Sequence, residues 1–213
     1  MPNMRLDKNP MPEQAPDIRN KNFLEVTVDN GENKEVYPTL ADFTFYGGLY
    51  RDVNLIYDVP ETHFSLTDAG SKGVYVTAKA NGDVAVKAIV NGYVSGTKVK
   101  YEVLDAEGKV VATAGDREKL HVNDPVLWNG RKNPCLYTLR AMIIQNGKVI
   151  DEVKVRFGFR DIKFDAKEGC FLNGEYIKLK GVSRHQDWKA IGNAITYENM
   201  ELDMEMIKEK ITR

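Results

Sequence analysis

Between Thr62 and Arg160 the chain breaks into short β-patterned runs with turn signals standing between them. The runs are GVYVTAKA, DVAVKAIVNG, KVKYEVLDA, KVVATAG, LYTLRAMIIQ and VIDEVKVRFGF; the turns fall at Asn81-Gly82, Asn91-Gly92, Glu107-Gly108 and Asn146-Gly147. Asn-Gly pairs supply the left-handed backbone that tight hairpins require, and alternation of apolar with polar residues leaves each strand one face to bury. Short strands at this spacing predict an immunoglobulin-like β-sandwich of about 100 residues. The Cys-Trp-Cys core of antibody domains is absent, so the likeness is one of architecture.

On either side the pattern differs. Upstream, FLEVTVDN from Phe23 alternates as a half-buried strand. An aromatic run from Ala41 to Tyr50 then leads into Arg51-Asp52-Val53-Asn54-Leu55-Ile56-Tyr57, a second strand signature ended by Val59-Pro60. These are expected to be late strands of another sandwich whose early strands are missing. Downstream, Gly169 to Val182 reads as a hairpin turning at Asn173-Gly174, its second arm running toward Ser183-Arg184-His185. Thr196 is a suitable N-cap for a helix from Tyr197 to Ile211, with Met200, Met204, Ile207 and Ile211 on one stripe. Strand, polar loop and helix make one β/α unit, which cannot bury both faces of its strand and calls for many more residues after Arg213. With 213 residues there is room for one or two modest domains, not for two sandwiches and a barrel.

The composition is 42% hydrophobic and 29% charged, with a formal net charge of -1. That balance excludes a polybasic arm or acidic tail, and with it nucleic acid and membrane surfaces as expected partners. Cys135 and Cys170 stand far apart in different surroundings and are expected to be free thiols. The start is polar and proline-containing with no apolar stretch of signal-peptide type, and no later run reaches membrane-spanning length. A cytoplasmic location is therefore expected ahead of secretion, with a truncated N-terminus.

The densest polar cluster is Gly181-Val182-Ser183-Arg184-His185-Gln186-Asp187-Trp188, where a strand hands over to a loop. Cation, imidazole, amide, carboxylate and indole together suit a polyol, whose hydroxyls need donors and acceptors and whose C–H faces stack on aromatics. On spacing alone, a solvated loop with one aromatic anchor is the plainer reading. His63 and His121 lack ligand partners and read as packing or surface histidines. Trp128 and Tyr137 read as core or interface packing, and Glu201, Asp203 and Glu205 as the solvated face of the last helix.

Taken in order, several stretches resemble glycoside hydrolase family 2 of the β-galactosidase type. They are Asp42-Phe43-Thr44-Phe45-Tyr46-Gly47-Gly48-Leu49-Tyr50-Arg51-Asp52-Val53, then Leu127-Trp128 with Pro134-Cys135-Leu136-Tyr137, then Arg156-Phe157-Gly158-Phe159-Arg160-Asp161-Ile162. Phe171-Leu172-Asn173-Gly174, the run from Lys178 to Asp187 and Gly192-Asn193-Ala194-Ile195-Thr196 follow. The resemblance implies a mainly β chain: residues 1–60 as the tail of a jelly-roll sugar-binding domain, 61–160 as the immunoglobulin-like sandwich, and 161–213 as the start of a truncated (β/α)8 barrel. It implies that His185 contacts the sugar near its reacting centre and that Asp42 reaches a galactose hydroxyl and, in some members, a sodium ion. Arg184 would orient the loop. For Trp188, sugar stacking and loop packing both stay open.

The same resemblance implies that the catalytic machinery lies elsewhere. Retaining hydrolysis needs two carboxyl groups about 5 Å apart, one as acid/base and one as nucleophile. In this family both are glutamates on later barrel strands, and the magnesium ligands of some members are downstream too. No residue here is expected to be catalytic and no cofactor is expected in this chain, while a longer parent would bind magnesium and sodium. The expectation is the non-catalytic portion of a retaining exo-glycosidase acting on a terminal β-galactoside, inert alone, with self-association through the helix stripe or as a homo-oligomer. GVSRHQD is closer to the galactosidase pattern than to the glucuronidase one. A stand-alone β-sandwich binding or scaffold protein is the alternative, and the unfinished unit from Gly169 to Arg213 argues against it.

Overall fold

Tyr137, Leu139, Ala141 and Ile143 are buried, while Thr138 and Arg140 between them are only half-buried; Met142 is covered as well. This period of two decides which way each strand faces, because successive side chains on a strand point to opposite sides of the sheet. The computed structural model describes residues 26–31, 35, 44–54, 56, 59–66 and 68–211. It divides into two units, one of Ile56–Gly181 and one of Met1–Leu55 with Val182–Arg213.

The first unit is all β. Its strands are β1 (His63–Phe64), β2 (Val74–Ala78), β3 (Asp83–Ala88), β4 (Val90–Asn91), β5 (Lys98–Leu104), β6 (Val110–Gly115), β7 (Leu120–His121), β8 (Tyr137–Gln145), β9 (Lys148–Phe157), β10 (Ile162–Asp165), β11 (Gly169–Leu172) and β12 (Glu175–Ile177). One sheet has the order β6-β5-β8-β9 and the other β2-β3-β7. All pairings are antiparallel, and the chain crosses between sheets after β3, β6 and β7. Four strands against three with these crossings is the immunoglobulin-like sandwich that the turn spacing predicts.

Val74 and Val84 from one sheet and Tyr101, Val103, Leu139, Ala141, Ile143 and Phe157 from the other close a single core. At one end Tyr137, Phe157 and Phe159 meet at ring separations of 4.9 to 6.1 Å. The Tyr137 hydroxyl accepts the Val126 amide at 3.0 Å, pinning the loop before β8. On the outer face Arg140 joins Glu152 (2.7 Å from Nε) and Glu102 (3.4 Å from Nη1) across three strands. Its guanidinium holds the Glu152 carboxyl below the usual carboxylate range.

Two of the expected hairpins have the geometry their sequences require. Asn146 and Gly147 lie at φ 51° and 76°, and Asn173 and Gly174 at 51° and 82°, the paired left-handed conformation of a type I′ turn. Asn91-Gly92 behaves differently: Asn91 pairs with His63 in the short β1–β4 ladder instead of turning a hairpin. Gly92 there is a point of close backbone approach, since a Cβ on it would fall 1.8 Å from the Glu61 carbonyl oxygen. β11 is flanked by β10 as well as β12, giving a three-stranded meander that the alternation did not disclose. Its second arm ends at Ile177, and residues 178–187 belong to no strand, so the strand expected to run toward His185 stops short.

In the second unit, Thr196 and Asn199 cap helix α1 (Tyr197–Ile211) reciprocally. The Thr196 amide donates to Asn199 Oδ1 at 2.9 Å, and the Asn199 amide donates to Thr196 Oγ1 at 3.4 Å. Glu198 sits in the first turn, its carboxyl lowered chiefly by the Thr196 hydrogen bond and then by its own backbone amide. The covered face of α1 carries Asn199, Met200, Asp203 and Ile207, whereas Met204 is exposed. Asp203 thus leaves the solvated face expected of it, because the half-buried Arg184 guanidinium occupies that side of the helix. Residues 26–30 and 51–54 form no ladder, so the strands read there are not seen among the described residues; a strand pattern needs a partner strand to satisfy its backbone. The rest of those two patterns, including Phe23–Glu25, lies outside the described residues, as does the side chain of Ile211.

Candidate functional site

The stretch from Arg184 to Asp187 has no strand pairing to hold it, so side chains decide its course up to Trp188. Arg184 Nε donates to Asp203 Oδ2 at 2.6 Å, and its Nη2 faces the same oxygen. Trp188 Nε1 donates to that oxygen as well, at 3.3 Å. The two side chains of the ion pair are 18% and 15% exposed, which places the interaction largely out of water. One helix carboxylate therefore grips both ends of the segment, and His185, Gln186 and Asp187 between them are exposed.

Beyond Trp188 the chain closes a small loop. The Trp188 and Gly192 backbones exchange hydrogen bonds of 3.0 and 2.9 Å, with Ala190 in a left-handed conformation at φ 75°. Gly192 (φ 54°) sits so close to the Tyr46 ring that a Cβ there would come within 2.8 Å of it. Tyr46, Trp188, Asp187, Lys189, Ile191 and Gly192 line an open cleft of about 600 Å³. Arg51 ties the same two stretches together: its Nη1 donates to the Asn193 carbonyl at 2.5 Å and its Nη2 to Gln186 Oε1 at 3.4 Å. An aromatic pair with an acid and a base beside it is suited to a saccharide, whose ring faces stack and whose hydroxyls bridge charges.

Of the residues singled out from the sequence, Arg184 and Trp188 are brought together, His185 is exposed between them, and Asp42 lies outside the described residues. Sequence reasoning passed over Asp203, Tyr46 and Arg51. The last two stand in the aromatic run that carries the family resemblance, and a lone arginine closing such a run was the available signal. Among the described residues no group of three His, Cys, Asp or Glu is placed to hold a metal ion.

The remaining motif residues are joints of the sandwich unit. Asn173 Nδ2 donates to the Trp128 carbonyl at 3.1 Å, its Oδ1 accepts the Asp161 amide at 2.9 Å, and its own amide donates to the Asp161 carbonyl at 2.8 Å. The Arg160 guanidinium lies 4.9 Å from the Trp128 ring centroid. Trp128 is half-buried and Tyr137 is in the core. His121 pairs with Asp83, and His63 Nδ1 lies 2.8 Å from the Pro60 carbonyl, so both have structural partners. Cys135 and Cys170 are free, the latter buried. No helix among the described residues is long and apolar enough to cross a membrane.

The seven-stranded immunoglobulin-like sandwich has counterparts among known proteins. Residues 59–160 match the model of glycosyl hydrolases family 2. The chain is 33% identical over 206 residues to a β-glucuronidase of Bacteroides fragilis, covering 89% of this chain and 30% of that protein. It is 28% identical over 207 residues to a β-galactosidase of Thermoanaerobacter pseudethanolicus, covering 90% and 27%. The crystal structure of an FMN-binding β-glucuronidase from Facaelibacterium prausnitzii L2-6 superposes with a TM-score of 0.78 at 39% identity, over 84% of this chain and 29% of that one. The chain belongs to glycosyl hydrolases family 2 and spans less than a third of the length of each of these relatives.

Proposed function

We propose that this chain is the non-catalytic portion of a retaining exo-glycosidase that hydrolyses terminal β-linked sugars, and that alone it is inert. The observation that carries the reading is the Tyr46–Trp188 cleft beside the anchored 184–188 segment, in a chain of this family. Asp187 is the one carboxylate among the residues lining that cleft. A double displacement needs two carboxyl groups facing one anomeric carbon, so the nucleophile and acid/base would come from sequence after Arg213. In this reading residues 1–60 end a jelly-roll domain, 61–160 are the sandwich, and 161–213 open a (β/α)8 barrel. Exposed Leu49, Val53, Val182 and Leu202 are the apolar side chains that further domains would cover. The parent would take up sodium beside Asp42 and magnesium through later residues, and would act in the cytoplasm as a homo-oligomer.

A terminal β-galactoside is the substrate that GVSRHQD favours. A β-glucuronide is the second reading, favoured by the higher identity to proteins named β-glucuronidases and by Lys189 at the cleft, a cation suited to a uronate carboxylate.

The test is to assay the 213-residue chain and the polypeptide extended past Arg213 in its source genome on nitrophenyl β-galactoside and β-glucuronide. An active parent with an inert chain is the expected result, and the preferred glycoside names the sugar. An active chain refutes the claim that the catalytic carboxylates lie outside it. A source sequence without a barrel after Arg213 would instead favour a stand-alone carbohydrate-binding or scaffold protein.

A further inference from the structure

Asp203 is the point where two distant parts of the 182–211 stretch converge. A charge on a helix surface is ordinarily solvated, yet this one is 15% exposed and shared by a guanidinium and an indole N–H. A covered charge is stable only while paired, so Asp203 and Arg184 hold each other in place. Residues 184–187 have no strand pairing of their own, whereas α1 is a capped helix of 15 residues. The helix therefore holds both ends of the segment through this carboxylate. The Trp188 indole it holds is a wall of the cleft, and His185 follows directly on the anchored Arg184.

Resting on the glycosidase reading, we propose that Asp203 is a positioning residue of the sugar cleft. It touches no sugar. It fixes the Trp188 indole as a stacking wall and the backbone on both sides of His185, so that the two meet a sugar ring together. Arg184 is its obligate partner, and Asp203→Ala releases both ends of the segment, whereas Asp203→Glu keeps a carboxylate that can reach them.

The experiment uses the extended polypeptide and its preferred nitrophenyl glycoside, with wild type, Asp203→Ala, Asp203→Glu and Arg184→Ala compared. Misplacing a binding group by an ångström is enough to cost an order of magnitude or more, so Asp203→Ala is expected to raise KM about tenfold, with kcat changing far less. Asp203→Glu should recover most of that loss, and Arg184→Ala should mimic the alanine variant. In parallel, the indole N–H resonances of Trp128 and Trp188 are followed by NMR in the 213-residue chain; only that of Trp188 should shift in Asp203→Ala. Unchanged KM in an active parent overturns the inference and leaves the glycosidase reading standing. A loss that tracks melting temperature across all variants, with no rescue by glutamate, also overturns it, since that is what a merely structural residue would give. A parent that cleaves no glycoside removes the glycosidase reading, and the positioning role with it, even if the Trp188 resonance moves.

Discussion

Nδ1 of His121 lies 2.9 Å from a carboxylate oxygen of Asp83, and the same two residues are backbone partners where β7 joins β3. The Lys119 ammonium is 3.2 Å from that oxygen, and Asn81 Nδ2 donates to the other at 2.9 Å. Three donors on one carboxylate close the edge of the three-stranded sheet with side chains where its backbone ladder is only two residues long.

These donors, the His121 hydrogen bond foremost, lower the Asp83 pKa from 3.8 to about 2. A carboxyl depressed in the folded state stabilises the fold above its unfolded pKa, and that contribution is lost as pH falls through the folded value. The melting-temperature advantage of wild type over Asp83→Asn should therefore be full above pH 3.8 and shrink as the pH drops to about 2. Thermal melts at a series of pH values read this directly. An advantage that is constant across that window would show that the carboxylate's charge contributes nothing there.

The Asn173 side chain binds Trp128 and Asp161 at once, while its backbone sits at φ 51°. Asn173→Ala removes two side-chain hydrogen bonds and places a Cβ-bearing residue with no local compensation in the left-handed region. Together these should cost roughly 2–3 kcal/mol. Urea unfolding should show the midpoint fall with an unchanged slope. Asn173→Gly, which removes the side chain without the strain, should cost less than alanine does.

Leu139 is fully buried at the centre of β8, with its neighbours Val103 and Ile143 equally enclosed. Leu139→Ala leaves a cavity that a sandwich core cannot collapse around, for an expected loss of about 2–5 kcal/mol. Val111 on β6 is exposed, and Val111→Ala should stay within about 0.5 kcal/mol of wild type. Similar losses at both positions would contradict the assignment of faces.

The sandwich was readable from sequence because its rules are local. Period two sets the faces, and Asn146-Gly147 and Asn173-Gly174 carry their turn geometry in two residues. The helix was equally readable, since its cap lies within three residues at Thr196 and Asn199. What stayed hidden depends on non-local partners. Asp203 looked solvated because helical periodicity groups residues into stripes without saying which stripe is covered, and its partner Arg184 is 19 residues away. β10 escaped notice because its residues are mostly exposed and only pairing with β11 makes them a strand. Asn91-Gly92 misled because its glycine answers a close approach by Glu61, 31 residues upstream of it, and not a turn. The cleft likewise needed Tyr46 and Gly192 to meet across 146 positions of sequence.

That meeting can be tested by substitution. Gly192→Ala faces two separate obstacles: a backbone at φ 54°, which costs a Cβ-bearing residue about 1–2 kcal/mol, and a Cβ within 2.8 Å of the Tyr46 ring. The ring is a stiff neighbour, so the second obstacle should add roughly 1–3 kcal/mol as the overpacked site gives way. Tyr46→Ala removes the obstruction without changing the backbone. In a Trp128→Phe background, where Trp188 is the sole indole, its fluorescence reports unfolding of the stretch that carries the cleft. The double variant should then be more stable than the sum of the single losses predicts, by the steric share alone, while the backbone share persists. Additive losses would mean that the Tyr46 ring does not rest on Gly192, and the cleft would lose the contact that sets one of its two aromatic walls.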